Sequence, residues 1–162
     1  IGYVCKKNTR QISSKVKRCL KREHTNGDTS YKKLTNFSNF IRIQKKNALK
    51  ILNNYKISEV GAYGSARSGP TYAFNFGLFK KFGHFFDDHP LKVNKFSFFN
   101  GYKVLETKKI DVLRPKILII LAYLHSKKII RKNLKYLRKG GKFLIVYPKI
   151  SLVNKRNYRK FI

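Results

Sequence analysis

A continuous apolar run, Ile117-Leu118-Ile119-Ile120-Leu121-Ala122, follows Pro115 and Lys116 and constrains this chain more than any other stretch. No polar residue alternates with the apolar ones, so a strand formed here must be covered on both faces, as central strands of parallel sheets are. Extended to Leu124 the run is still far too short to cross a bilayer, which takes ~20 residues. The flanking segments fit the same architecture. Ile57 and Val60 predict a short buried strand, Phe82 to Phe86 a second, Val104 a short third, and Phe143 to Tyr147 a last one stopped by Pro148. A long helix is expected from Ser30, with Leu34, Phe37, Ile41, Ala48, Leu52 and Tyr55 on one side. His125 to Lys139 predicts another, with Ile129, Ile130, Leu134 and Leu137 inward and Gly140-Gly141 closing it. Strands alternating with helices mean an α/β fold with a mostly parallel sheet.

The stretch from Ile57 to Thr71 gives that fold its candidate site. A predicted strand leads into Gly61-Ala62-Tyr63-Gly64-Ser65-Ala66-Arg67-Ser68-Gly69, and Tyr72, Phe74, Phe76 and Leu78 then suggest one helix face. Strand, glycine turn and helix start is how α/β folds present backbone N–H groups to a phosphate. The spacing G-x-x-G-x-x-x-x-G is neither the dinucleotide fingerprint nor a P-loop, so a turn that only lets helix and strand pack closely fits equally well. The second predicted strand ends at Asp87-Asp88-His89-Pro90. An acid there often meets a ribose or sugar hydroxyl, and an Asx turn set by Pro90 is the other reading.

Charge narrows the partners. Lys plus Arg number 38 against 7 Asp plus Glu, a net charge of +31 in 162 residues. Such a charge predicts non-specific attraction to any polyanion. The lysines are scattered through every segment, and Lys, Asn, Ile, Phe and Tyr are abundant together, which is the pattern of a compositional bias rather than of a dedicated nucleic-acid surface. Cys5 and Cys19 cannot supply four zinc ligands, and no Cys-x-x-Cys occurs. Free thiols in a reducing cytoplasm are expected, and Lys6, Lys7 and Arg10 interrupt any signal peptide at the start. With no Met and an opening in mid-element at Ile1-Gly2-Tyr3-Val4, the chain reads as a piece of a longer protein.

Four motifs in order carry a family likeness: Gly61 to Gly69, then Asp87-Asp88-His89-Pro90-Leu91-Lys92, then Leu118 to Tyr123, then Gly140-Gly141-Lys142-Phe143. Together they resemble the C-terminal domain of the S-adenosylmethionine-dependent sugar C-methyltransferase family, whose members act on nucleotide-linked sugars. The likeness covers residues 57–148 and extends less strictly back through 31–55. It implies a Rossmann-like three-layer domain over residues 30–150, preceded over 1–29 by the end of a methyltransferase domain and a basic helical linker, and followed over 151–162 by a basic tail. Tyr3-Val4-Cys5-Lys6-Lys7 resembles that preceding domain's closing strand.

The resemblance also implies where chemistry is not. S-adenosylmethionine and zinc are expected in other domains of the parent enzyme, so no catalytic residue, cofactor contact or metal ligand carries over to this chain, which alone should transfer no methyl group. What carries over is the substrate-binding face: Tyr63, Gly64, Ser65, Ala66, Arg67 and Gly69 toward the diphosphate, with Arg67 where the family often has Lys. Asp87 and Lys92 are further contacts to hydroxyl or phosphate, and Tyr123 and His125 sit just past a strand's carboxyl end. The family commonly has Trp-Asn near Tyr123-Leu124, and a surface position beside a helix start is the other reading of His125. Pro70 fits the first turn of the helix.

His24, His84 and His89 form no acid–base set with a pocket, which argues against a self-contained hydrolase or transferase. Two rivals differ in class. A basic nucleic-acid-binding module has the charge and 14% aromatic residues in its favour but no recognised signature. A stand-alone Rossmann-like nucleotide binder has the wrong glycine spacing.

Overall fold

The computed structural model describes residues 6, 9–65, 68–97 and 101–162. The strand end expected over residues 1–5, the candidate contacts Ala66 and Arg67, and Phe98 and Phe99 lie outside the described residues. The chain divides into two compact units, residues 1–40 and 41–162.

In the first unit, helix α1 (Ser14–Thr25) is capped by Ser13, whose hydroxyl oxygen accepts the Val16 N–H at 3.4 Å. The cap satisfies one of the N–H groups that a helix start leaves open. No residue of α1 is buried. After the breaker at Asn26-Gly27-Asp28, Lys33 pairs with Asp28. Helix α2 (Tyr31–Leu52) starts here and contributes its later turns to the second unit. Its buried residues, Gln44, Ala48 and Leu52, are spaced by four, so they share one face.

The second unit is a sheet with helices on both sides. Its strands are β1 (Val60–Tyr63), β2 (His84–Asp87), β3 (Val104–Glu106), β4 (Ile117–Ile120), β5 (Lys142–Ile145) and β6 (Ser151–Val153). The order across the sheet is β3-β2-β1-β4-β5-β6. The first five are parallel, and β6 runs antiparallel to β5. This is the strand order of a Rossmann-like α/β domain. The connecting helices are α3 (Gly69–Asn75), α4 (Ile110–Leu113), α5 (Ser126–Lys132) and α6 (Leu134–Arg138).

Alternation along the strands makes two cores. Val60, Ala62, Phe85, Ile117, Ile119 and Leu144 point to the side that carries Leu52 of α2 and Ala73 of α3. Tyr63, Phe86, Leu118, Ile120 and Phe143 point to the other, against Ile110 of α4, Ile129 and Ile130 of α5, and Leu137 of α6. All four residues of β4 are fully buried, as its unbroken apolar run demands. At ~1.5–3 kcal/mol for each such side chain, this strand is a large source of burial energy.

The first strand starts later than the pattern of Ile57 and Val60 suggests. Ile57 lies in a 3₁₀ turn, 54% exposed, and Gly61 sits inside β1 rather than in the turn after it. A Cβ on Gly61 would come within 2.6 Å of Leu118 and 2.8 Å of Phe86, so glycine is there to let the neighbouring strands' side chains close over it. Residues 151–162 are folded: β6 completes the sheet, and Tyr158, Phe161 and Ile162 pack against the second core. Among the described residues no helix is long and apolar enough to cross a membrane.

Candidate functional site

In a sheet of this order the chain leaves β1 toward one face, through α3, and leaves β4 toward the other, through α5. The carboxyl ends of β1 and β4 therefore part and leave a crevice. A cavity of about 570 Å³ lies there. Tyr63 and Gly64 at the end of β1 form one part of its wall. Asp87 to Pro90 and Lys92 enter from the end of β2, and Ala122, His125, Lys128, Ile129 and Lys132 from the segment after β4.

Gly64 sets how close these segments come. Its φ is +96°, and a Cβ would lie 2.5 Å from that of Ala122. Only glycine combines that backbone with that approach. The turn it opens is tied to the chain itself. The Gly64 N–H donates to the Phe86 carbonyl at 2.8 Å, and the Ser65 N–H to Asp87 Oδ2 at 2.6 Å. Both N–H groups described in the turn are thus committed to internal acceptors.

Asp87 is the hub of this arrangement. Its side chain is 10% exposed. Its Oδ1 accepts the His89 N–H at 2.8 Å, an Asx turn, while Oδ2 also faces the Lys92 ammonium at 3.4 Å. Lys92 Nζ in turn donates to the Ser65 carbonyl at 2.7 Å. One carboxylate and one ammonium therefore clamp the loop after β1 to the loop after β2.

Asp88 makes a second node on the crevice wall. Its Oδ2 accepts the Tyr63 hydroxyl at 2.6 Å, its Oδ1 the Thr107 hydroxyl at 2.7 Å, and Lys132 pairs with it. Burial alone would raise the Asp88 carboxyl. The bonds from Lys132, Tyr63 and Thr107 outweigh it and hold the group below the usual carboxylate range. Burial, and then the Asp88 carboxylate, push the Tyr63 phenol far above its ordinary value, so it stays a hydrogen-bond donor.

The pH consequence has a definite sign. With Asp88 lower in the folded than in the unfolded state, the unfolded chain binds more protons at acid pH. The contribution is complete above the unfolded value of about 4 and is lost as pH falls through the folded one. Asp88→Asn is therefore expected to flatten the fall in urea midpoint between about pH 5 and about pH 3. An unchanged acid slope would contradict the role of this node.

The structure brings Tyr63, Gly64, Asp87, Lys92 and His125 to one crevice, with Ser65 in the adjoining hollow beside Lys92. Gly69, the first residue of α3, is not in its lining. Tyr123 is also outside it. Its ring packs at 5.2 Å from Tyr72 and 5.0 Å from Tyr147, two rings that lie against the first core. Asp88, Lys128 and Lys132 are in the site without having been anticipated. The available signal was the i, i+4 spacing of the two lysines on the helix after β4, which puts them on one face. Lys128 makes no ion pair or hydrogen bond among the described residues and is exposed beside the cavity. Among the described residues no cluster of His, Cys, Asp and Glu could hold a metal ion.

Comparison with known proteins bears on the whole of this. The sequence model of the C-methyltransferase C-terminal domain matches residues 1–148. No curated protein matches the chain. Among solved structures, the crystal structure of UDP-D-quinovosamine 4-dehydrogenase from Vibrio fischeri is similar at a TM-score of 0.41 and 17% identity, over 60% of this chain and 93% of that one.

Proposed function

The chain belongs to the C-methyltransferase C-terminal domain family, and from that premise we propose that it holds a nucleotide-linked sugar whose carbon receives a methyl group elsewhere in a longer enzyme. The observation that carries the proposal is the crevice at the carboxyl end of β1 and β4, with Lys128 facing it uncommitted and Lys92 and Lys132 beside it. Lys92 and Lys132 are paired with Asp87 and Asp88 of the same wall, so Lys128 supplies the free positive charge that a diphosphate would meet there. The rim also carries hydroxyl-binding groups, His125 and the Asp88 node.

The same charge suits the reaction's other component poorly. S-adenosylmethionine carries a sulfonium cation, which the unpaired Lys128 of this rim would repel. On this reading the methyl donor and zinc belong to other domains of that enzyme, and no residue here is assigned to either. The work of this domain is positional. Held by its diphosphate, the sugar presents one carbon to a reacting partner in a fixed orientation, and orientation supplies a large part of such a barrier reduction. Of the expected phosphate contacts, the Gly64 and Ser65 N–H groups and Lys92 are already bonded internally, so Lys128 takes the larger share.

Titration calorimetry with a nucleoside-diphosphate hexose tests this, with the bare nucleoside as control. The hexose compound should bind, the nucleoside much more weakly. Lys128→Glu should cost about tenfold in affinity, or about 1.4 kcal/mol, with no change in melting temperature. Equal binding of the nucleoside and the diphosphate compound would overturn the proposal.

A further inference from the structure

A second concave surface lies between α6 and the segment after β6. Leu134 and Leu137 of α6 form the apolar part of a cleft of about 310 Å³, with Tyr158 beside them. Its remaining lining is cationic: Arg138 from α6, and Lys155, Arg156 and Arg159 from the segment after β6. No acid lines it. The nearest acid in sequence, Asp111, is already held by Lys135 and Lys139. Among the described residues none of the four cations makes an ion pair or a side-chain hydrogen bond.

The segment that carries three of them is fixed rather than loose. The Asn154 N–H donates to Asn157 Oδ1 at 2.8 Å, and the Arg156 N–H to Asn154 Oδ1 at 2.8 Å. Asn157 Nδ2 then donates to the Leu152 carbonyl of β6 at 2.9 Å. Tyr158 and Phe161 pack against the second core. Arg138 is placed by the buried Tyr136 and Leu137 that precede it. Four like charges carried on fixed backbone around one hollow raise the local potential, and a backbone already ordered need not be ordered again on binding. Arginine's planar fork pairs two oxygens at a time, as phosphate and carboxylate groups offer, and four cations in one hollow match several adjacent anionic groups better than a single one.

We propose that this cleft is a second anion site, separate from the crevice at β1 and β4, which takes a ligand with consecutive phosphates. The proposal does not rest on the nucleotide-sugar reading. Consecutive phosphates occur in free oligophosphates and along a nucleic-acid backbone, and the test separates these sources.

Binding of tripolyphosphate and of a short oligouridylate to the full chain is measured by calorimetry at moderate salt. Arg138→Glu with Arg159→Glu should weaken binding about tenfold or more, while Lys15→Glu with Lys17→Glu on α1, the same change in net charge, should leave it within about twofold. Arg138→Lys with Arg159→Lys keeps the charge without the fork, so its affinity should lie between the parent's and the glutamate pair's, which shows that the positions, not a folding defect, are being read. Loss with tripolyphosphate alone assigns the cleft to a free oligophosphate, and loss with both probes to a phosphodiester chain. An equal fall in the cleft and α1 variants would overturn the site, because net charge alone would then explain binding. Affinity for a nucleoside-diphosphate hexose should be unchanged in the cleft variants, which keeps this outcome distinct from that of the first crevice.

Discussion

Gly64→Val is expected to lower the melting temperature by about 10 °C. The residue sits at φ +96°, where an L side chain is strained by about 1–2 kcal/mol. Its Cβ would also meet the Ala122 Cβ at 2.5 Å and the Ala122 backbone nitrogen at 3.1 Å. The nitrogen belongs to the main chain following β4 and cannot rotate aside. Overpacking of this kind costs about 1–3 kcal/mol. Together the two effects come to about 3–4 kcal/mol, and each kcal/mol moves the midpoint of a chain this size by about 2–4 °C. Gly64→Ala keeps the strain and the overlap but not the branched methyls, so it should fall between. Gly64 and Ala122 both line the crevice, so pushing them apart should lower nucleotide-sugar binding along with stability. A variant that melts with the parent would contradict the close approach of the β1 and β4 segments.

Asp87→Ala is the second large effect, expected at about 3 kcal/mol of destabilisation by urea unfolding. The carboxylate accepts the Ser65 and His89 N–H groups and holds Lys92, in a side chain 10% exposed. Removing it leaves two main-chain donors without their acceptor and takes the counter-charge from Lys92, which keeps only the Ser65 carbonyl, and a partner stranded without water costs about 1–3 kcal/mol by itself. Asp87→Asn separates the contributions. It keeps one acceptor oxygen and loses the charge, so it should cost roughly half as much. Both variants should weaken nucleotide-sugar binding, because the loops they release form two sides of the crevice. Stability equal to the parent in the alanine variant would show that the clamp between the two loops does not hold them.

The architecture was legible where burial alone decides it. The run from Ile117 to Ala122 has no polar residue, and β4 is where it predicts a central strand. It was less legible where a residue's role is set by a distant partner. Gly61 looks like a turn glycine in one dimension, and only Leu118 and Phe86 from neighbouring strands make it a strand residue. The helix expected over His125 to Lys139 is broken in two at Asn133, whose side-chain amide donates to the Ile129 carbonyl at 2.8 Å and whose own N–H is shared between Ile129 and Ile130. Residues 151–162 carry enough lysine and arginine to look like a solvated tail, yet Leu152 and Val153 suffice to add a strand once β5 offers an open edge. At the crevice, an acid after β2 could be anticipated, but its use could not. Whether Asp87 meets a ligand or its own loop depends on where Ser65 and Lys92 fall, and sequence spacing is silent on that.

Among the described residues, six of the seven acidic side chains are engaged with lysines: Asp28, Glu59, Asp87, Asp88, Glu106 and Asp111. Even Glu23 takes a contact from the Cys19 thiol. The chain has therefore used up its own anions, and the remaining surplus of +31 is answered from outside. Dissolved counterions are in that sense a component of this fold, and its solution behaviour is a property of protein and electrolyte together.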